Sequence, residues 1–259
     1  MDRILLFIPA YNCEKQILRV LGQLNEQVME YITEVIVVNN RSTDNTEEVV
    51  SEFIERHPAF PLHLLRNHEN YGLGGSHKVA FNYAMENDFD YVIVLHGDDQ
   101  GSIEDFLPVL ERSYYRKHDC ILGARFMPGS KLVGYSTFRT FGNLVYDFLF
   151  AAVVGRKIYD LGSGLNMYSV DALRSKYYEM FPDNLMFNYC MVMALEYYNI
   201  DARFYPVSWR EDDQVSNVKM VSQATKVLRM LKDYFMDPAV IREDYREVPI
   251  DEYGADVIA

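Results

Sequence analysis

Short apolar runs alternate with longer segments whose apolar residues recur every three or four positions, and this alternation fills the first half of the chain. Ile4 to Ile8 is followed by a helical pattern from about Glu14, and Glu34 to Val38 by one after Asp44. Leu62 to Leu65 leads to a helix near Gly75 to Met85, Tyr91 to Leu95 to a helix from Ser102, and Cys120 to Gly123 closes the series. The pattern predicts an α/β fold with a mostly parallel central sheet and helices on both faces. Ligands of such sheets bind beyond the carboxyl ends of the strands.

After Phe126 the grammar changes. A Gly and Pro loop, Met127-Pro128-Gly129-Ser130, precedes an amphipathic helix over Phe138 to Val154; Ala202 to Val207 reads as a late strand and Met220 to Phe235 as a helix. From Asp237 onward seven acidic residues face only Arg242 and Arg246, which predicts a tail loosely ordered or laid on the surface. The expected organisation is one domain over residues 1–236, with a nucleotide-binding half (1–125) and an acceptor half (126–236), followed by an acidic tail (237–259).

With 259 residues, 49% of them hydrophobic, the chain can bury one sizeable core. A formal net charge of -13 repels a phosphate backbone and excludes nucleic acid as a partner. Cys13, Cys120 and Cys190 form no CxxC pair, so neither a disulfide framework nor a zinc site is expected, and a reducing compartment fits. No segment approaches the roughly 20 apolar residues of a membrane span, and the first apolar run is too short for a signal peptide. The expected location is cytoplasmic, with membrane contact peripheral at the inner face; a homo-oligomer is left open.

Four strand ends carry chemistry. Pro9, Ala10, Tyr11, Asn12 and Glu14 offer a planar ring, an amide and a carboxylate against which a base can pack; a plain strand-to-helix turn capped by Asn12 explains them equally well. Asn39 and Asn40 are adjacent amides ahead of Ser42, Thr43 and Asp44, which suit a helix cap. Asn67 to Lys78 is glycine-rich, and its backbone N–H groups around Gly75, with Lys78, suit a phosphate, although the glycines also serve simple turning. His96, Gly97, Asp98, Asp99 and Gln100 place carboxylates where a divalent cation bridges to a diphosphate; a solvated acidic turn is the competing reading. All four converge on one sheet edge, which independent turns have no reason to do.

These stretches resemble the family 2 glycosyltransferases of the GT-A fold over roughly residues 3 to 235, in a branch close to dolichyl- and polyprenyl-phosphate sugar transferases. The family runs P-x-Y-N-E, V-D-D-G-S-x-D, a glycine-rich segment and D-x-D-x-Q. The resemblance implies that Pro9, Ala10, Tyr11, Asn12, Glu14, Asn39, Asn40, Gly75, Lys78, His96 and Gly97 line the nucleotide site and that Asp98 holds Mg2+ or Mn2+. Asn39 and Asn40 stand where carboxylates are usual, and His96 replaces the first Asp of D-x-D. Leu122-Gly123-Ala124-Arg125-Phe126 is similar to G-S-R-F, and Asp160 to Asn166 to a D-x-x-S-G segment, which implies that Gln100, Arg125, Ser163 and Gly164 meet sugar and acceptor.

Arg210 follows Pro206-Val207 as a candidate pyrophosphate clamp, or pairs with Asp212 and Asp213 at the surface; the Ser216-Asn217 pair follows. Asp183 is a candidate base, or a helix cap, and Asn188 stands where some relatives carry a carboxylate. The Phe138 to Val154 helix either lies at a membrane surface or packs in the core. The implied function is inverting, metal-dependent transfer from a UDP- or GDP-sugar to a lipid-phosphate or glycan acceptor in cell-surface polysaccharide or glycoconjugate synthesis. Alternatives are a non-catalytic nucleotide- or glycan-binding module and a nucleotidyltransferase, though the latter would need a basic glycine loop after strand one.

Overall fold

In the computed structural model, which describes residues 1–211, 220–247, 250 and 252–259, with side chains omitted for 220–224, the first strand is buried on both faces. Along β1 (Ile4–Ala10), Leu5 and Phe7 enter one apolar cluster, and Ile4, Leu6 and Ile8 enter the other. Strict alternation of side chains makes an unbroken apolar run a strand with helices above and below.

The sequence-predicted strands form as β2 (Glu34–Asn39), β3 (Leu62–Asn67), β4 (Tyr91–Leu95) and β5 (Cys120–Ala124), joined by a short β6 (Lys131–Val133), β7 (Leu165–Ser169), β8 (Ala202–Pro206), β9 (Ser208–Arg210) and β10 (Ala255–Val257). The main sheet runs β10-β3-β2-β1-β4-β7-β5-β8, and β6 pairs with β9 separately. Pairs β1–β2, β2–β3, β1–β4 and β5–β8 are parallel; β7 runs antiparallel between β4 and β5. The helices are α1 (Ile17–Gly22), α2 (Glu26–Met29), α3 (Thr46–Arg56), α4 (Gly72–Glu86), α5 (Leu107–Glu111), α6 (Thr137–Val154), α7 (Val170–Leu173), α8 (Phe187–Tyr197) and α9 (Met220–Met236).

Two pairs of alternatives are narrowed. Over its described residues the acidic tail is laid on the sheet edge instead of loose: β10 pairs antiparallel with β3, and Tyr253, just ahead of it, is buried. Helix α6 does not lose its whole apolar face to the core. Phe150 and Val154 are buried, but Phe138, Phe141, Leu144, Val145 and Phe148 remain exposed, Phe138 by 76%. Their spacing of three and four residues puts them on one stripe. Among the described residues no helix is long and apolar enough to cross a membrane.

Candidate active site

Parallel strands β1, β2 and β4 end at the same edge, with Ala10 opposite Asn39. The loops that follow β1 and β2 are stitched together. Asn12 N donates to Ser42 Oγ at 3.0 Å, Thr43 N to Asn12 Oδ1 at 2.8 Å, and Cys13 N to Thr46 Oγ1 at 2.9 Å. Glu14 accepts from the backbone and side-chain nitrogens of Asn45 at 3.0 and 2.9 Å. Asn12 therefore does not cap α1, which starts only at Ile17; it braces the neighbouring loop from a left-handed backbone (φ 51°). Pro9 and Ala10 finish the strand, and Tyr11 projects from this braced turn half-exposed.

The two amides of β2 have a structural explanation. Asn39 donates from Nδ2 to Glu47 at 2.7 Å and accepts from Ser42 N at 2.9 Å, while Glu47 also takes the Arg66 guanidinium. An aspartate here would set two carboxylates against each other; an amide supplies the donor that Glu47 needs. Asn40 accepts from Tyr71 N at 2.8 Å and Asn67 Nδ2 at 2.9 Å, and donates to Asn70 Oδ1 at 2.8 Å. Both are buried. They lie at the strand-end edge and fix the chain that enters α4.

The glycine-rich segment does not form a phosphate loop. Helix α4 starts at Gly72, so Gly74, Gly75 and Lys78 lie inside it. A Cβ on Gly74 would stand 2.4 Å from Pro182 O, and one on Gly75 2.4 Å from the Tyr71 Cβ. These glycines admit close packing. Lys78 is fully buried, its Nζ donating to Asp183 and Phe181 O at 2.7 Å each and to the Tyr253 hydroxyl at 3.1 Å. Gly75 and Lys78 are thus withdrawn as nucleotide contacts. Asp183 also accepts from Tyr253 at 2.8 Å; the N-cap of α8 is Met186, which has no side-chain capping bond, and Asn184 Oδ1 accepts from Met186 N in the turn ahead of it. Asp183 is an ion-pair partner, neither a cap nor a base waiting for a proton.

After β4 come His96, Gly97, Asp98, Asp99 and Gln100. Gly97 is buried against Pro9 O, where a Cβ would approach to 2.9 Å. Asp98 is partly exposed at the edge and accepts from Gln100 N at 3.2 Å; burial of its carboxylate raises its pKa to about 6. His96 is kept neutral, its pKa lowered to about 4 by burial and then by the Arg125 charge. Its Nε2 is buried without a hydrogen-bond partner. Among the described residues no three of His, Cys, Asp and Glu form a preformed cage. One carboxylate with a neutral imidazole nearby does fit a hard cation whose remaining ligands are phosphate oxygens and water.

On the other side of the edge, Arg125 is held rather than offered. Its Nε and Nη2 each donate to Asp160 at 2.7 Å, and Phe126 and Trp209 flank the guanidinium at 5.0 and 4.9 Å. Asp160 also accepts from Gly162 N at 3.0 Å, which shapes the turn bearing Ser163 and Gly164. Ser163 is buried and donates to Leu165 O at 3.0 Å. Gly164 O accepts from His96 N at 3.0 Å, and a Cβ there would meet the His96 ring at 2.7 Å. Arg125 and Ser163 thus act as braces, contrary to their expected contact with sugar or acceptor.

Arg210 likewise binds the Asp99 carboxylate and donates from Nε to the Asp99 carbonyl at 2.7 Å; Asp212, Asp213, Ser216 and Asn217 lie outside the described residues. Sequence reasoning missed Arg19 in α1 and Gln23 at its C-cap, which reach Asp99 across about 80 positions. It also missed Arg139, which pairs with Glu211 at the start of α6. No local motif marks any of the three.

The chain matches the model of the family described as glycosyl transferase family 2 over residues 6–175. It is 28% identical over 173 residues to an undecaprenyl-phosphate mannosyltransferase of Micrococcus luteus, covering 67% of this chain and 69% of that protein. It is 25% identical over 181 residues to a UDP-N-acetylglucosamine–dolichyl-phosphate N-acetylglucosaminyltransferase of Methanococcus voltae, covering 66% and 71%. Glucosyl-3-phosphoglycerate synthase of Mycobacterium tuberculosis, solved with Mn2+, UDP and phosphoglyceric acid, superposes with TM-score 0.62 at 13% identity over 99% of this chain and 87% of that one. Staphylococcus aureus TarS, solved with UDP, gives TM-score 0.60 at 19% identity over 91% of this chain, which spans 66% of the TarS chain. The sheet order and these matches lead to one conclusion: the chain belongs to glycosyl transferase family 2 and is a glycosyltransferase of the GT-A fold.

Proposed function

We propose that the chain transfers a sugar from a UDP- or GDP-sugar to a lipid-linked phosphate, by a single inverting displacement with a divalent cation at Asp98. The observation that carries the acceptor class is the state of Asp183. Its carboxylate is held by Lys78 and Tyr253, so the candidate general base is occupied. A sugar hydroxyl needs a base to take its proton, whereas a phosphate monoester is ionised near neutral pH and attacks without one. Relatives named for undecaprenyl phosphate and dolichyl phosphate support the same class.

Helix α6 supports a lipid. Its exposed stripe begins at Phe138, next to Arg139; Arg139 pairs with Glu211, which follows the Arg210 bound at the Asp98–Asp99 turn. A polyprenyl chain or bilayer surface along the stripe would bring its phosphate to the Arg139 end, beside the donor. The net charge of -13 argues for adsorption through apolar contact instead of attraction to anionic lipid. We place the protein at the cytoplasmic face of a membrane, in glycoconjugate or cell-surface polysaccharide synthesis.

Within the crevice Tyr11 stacks on the base, the braced 11–14 and 42–46 loops hold the nucleoside, and Asp98 with His96 faces the diphosphate. The cation, Mg2+ or Mn2+, supplies charge neutralisation to the leaving diphosphate. The test is to incubate purified protein and Mn2+ with labelled UDP-glucose, UDP-N-acetylglucosamine and GDP-mannose, each with undecaprenyl phosphate or undecaprenol. Label entering the phosphate and not the alcohol is expected. Transfer to the alcohol at equal rate would overturn the base-free reading.

A further inference from the structure

The turn after β4 carries two adjacent carboxylates, and the fold treats them differently. Asp98 remains partly exposed at the crevice. Asp99 sits in a left-handed backbone (φ 60°) with its carboxylate completely buried. Arg19 Nε reaches that carboxylate at 2.6 Å from α1, and Gln23 Nε2 at 3.0 Å from the residue that ends it. From β9, Arg210 pairs with the same carboxylate and donates to the Asp99 carbonyl, and its backbone N donates to Gln100 O at 2.9 Å. Trp209 bridges to Gly101 beside it.

Left-handed backbone is less favourable for a residue with a Cβ than for glycine, and a buried carboxylate is costly unless it is paired. The turn therefore keeps this shape only while α1 and β9 hold Asp99. Released, Asp99 would sit beside Asp98 as a second negative charge at the crevice.

We propose that Arg19, Gln23 and Arg210 are positioning residues: by locking Asp99 between α1 and β9, they fix Asp98 as the one carboxylate that this turn offers to a metal–diphosphate. The proposal rests on the reading that the crevice binds nucleotide with a cation at Asp98. It moves Arg210 from the diphosphate to Asp99, and it brings in one residue of α1 and its C-cap that no motif marks.

The test is calorimetric titration of the whole chain with UDP and with GDP, each with and without Mn2+, alongside thermal melts. Asp99→Asn keeps the size and an acceptor but removes the charge. It should weaken Mn2+-dependent nucleotide binding about 10–100-fold, as loss of groups that orient a metal ligand does, and leave metal-free binding unchanged. If Asp99 instead merely occupies Arg210 until a diphosphate arrives, the same variant tightens binding with or without metal, and the proposal is overturned. Equal affinity overturns it too. Should Asp99→Asn fail to fold, Arg19→Lys takes its place, with weaker Mn2+-dependent binding expected and unchanged binding decisive against the proposal. A wild-type protein that binds neither nucleotide removes the nucleotide-site reading and the latch together, whereas wild-type binding matched by folded variants removes the latch alone.

Discussion

Lys78 and Asp183 lie 105 positions apart and meet at 2.7 Å, the ammonium fully buried in α4 and the carboxylate just ahead of α8. The pair fastens the glycine-rich start of α4 to the second half of the chain, and Tyr253 closes it from the C-terminal segment. Two groups that suggested phosphate binding and base catalysis thus neutralise one another.

Removing one partner of a buried pair strands the other charge. Asp183→Ala should lower the unfolding free energy by about 3–5 kcal/mol, read by urea denaturation. Lys78→Met combined with Asp183→Leu should cost less than the sum of the single changes. A folded Asp183→Ala protein of wild-type stability that has lost transfer activity would restore the base assignment.

Asp147 on α6 is buried, one of its oxygens has no hydrogen-bond partner, and burial followed by the Asp160 charge raises its pKa to about 8 from 3.8. A carboxyl with a raised folded pKa contributes stability that is complete below about 3.8 and is lost as pH rises through about 8. Asp147→Asn should melt like wild type near pH 4 and at increasingly higher temperature than wild type toward pH 8. Parallel curves across that range would contradict the shift.

The stripe on α6 predicts a separable membrane contact. Replacing Phe138, Phe141 and Phe148 together by Ser should reduce co-sedimentation with phosphatidylcholine vesicles at least tenfold, since each buried aromatic side chain contributes about 1.5–3 kcal/mol. Nucleotide binding should not change. Wild-type sedimentation by the triple variant would mean that the stripe faces something other than lipid.

Two glycines give a paired control. A Cβ at Gly164 meets the His96 ring at 2.7 Å, whereas at Gly142, inside α6, it meets nothing within 4 Å. Gly164→Ala should destabilise by about 1–3 kcal/mol and weaken nucleotide binding by displacing His96. Gly142→Ala should stabilise by about 0.4–1 kcal/mol. Equal melting temperatures for the two would show that the His96 ring moves at no cost.

The alternation of strand and helix, the mostly parallel sheet, the edge on which Tyr11, Asn12 and Asp98 gather, and the family were all legible in the chain, because apolar periodicity and strand-end motifs are local signals. β7 was hidden: Leu-Asn-Met-Tyr-Ser is a weak strand pattern, and only its place between β4 and β5 makes it one. Which polar group faces the crevice and which serves as a brace was decided by tertiary structure alone. Lys78, Arg125, Asp183 and Arg210 are all competent for catalysis by residue type, yet each is taken by a partner at least 35 positions away. A side chain's chemistry is written in the sequence, but its availability depends on long-range contacts that bury it or satisfy its hydrogen bonds, and no local pattern records those.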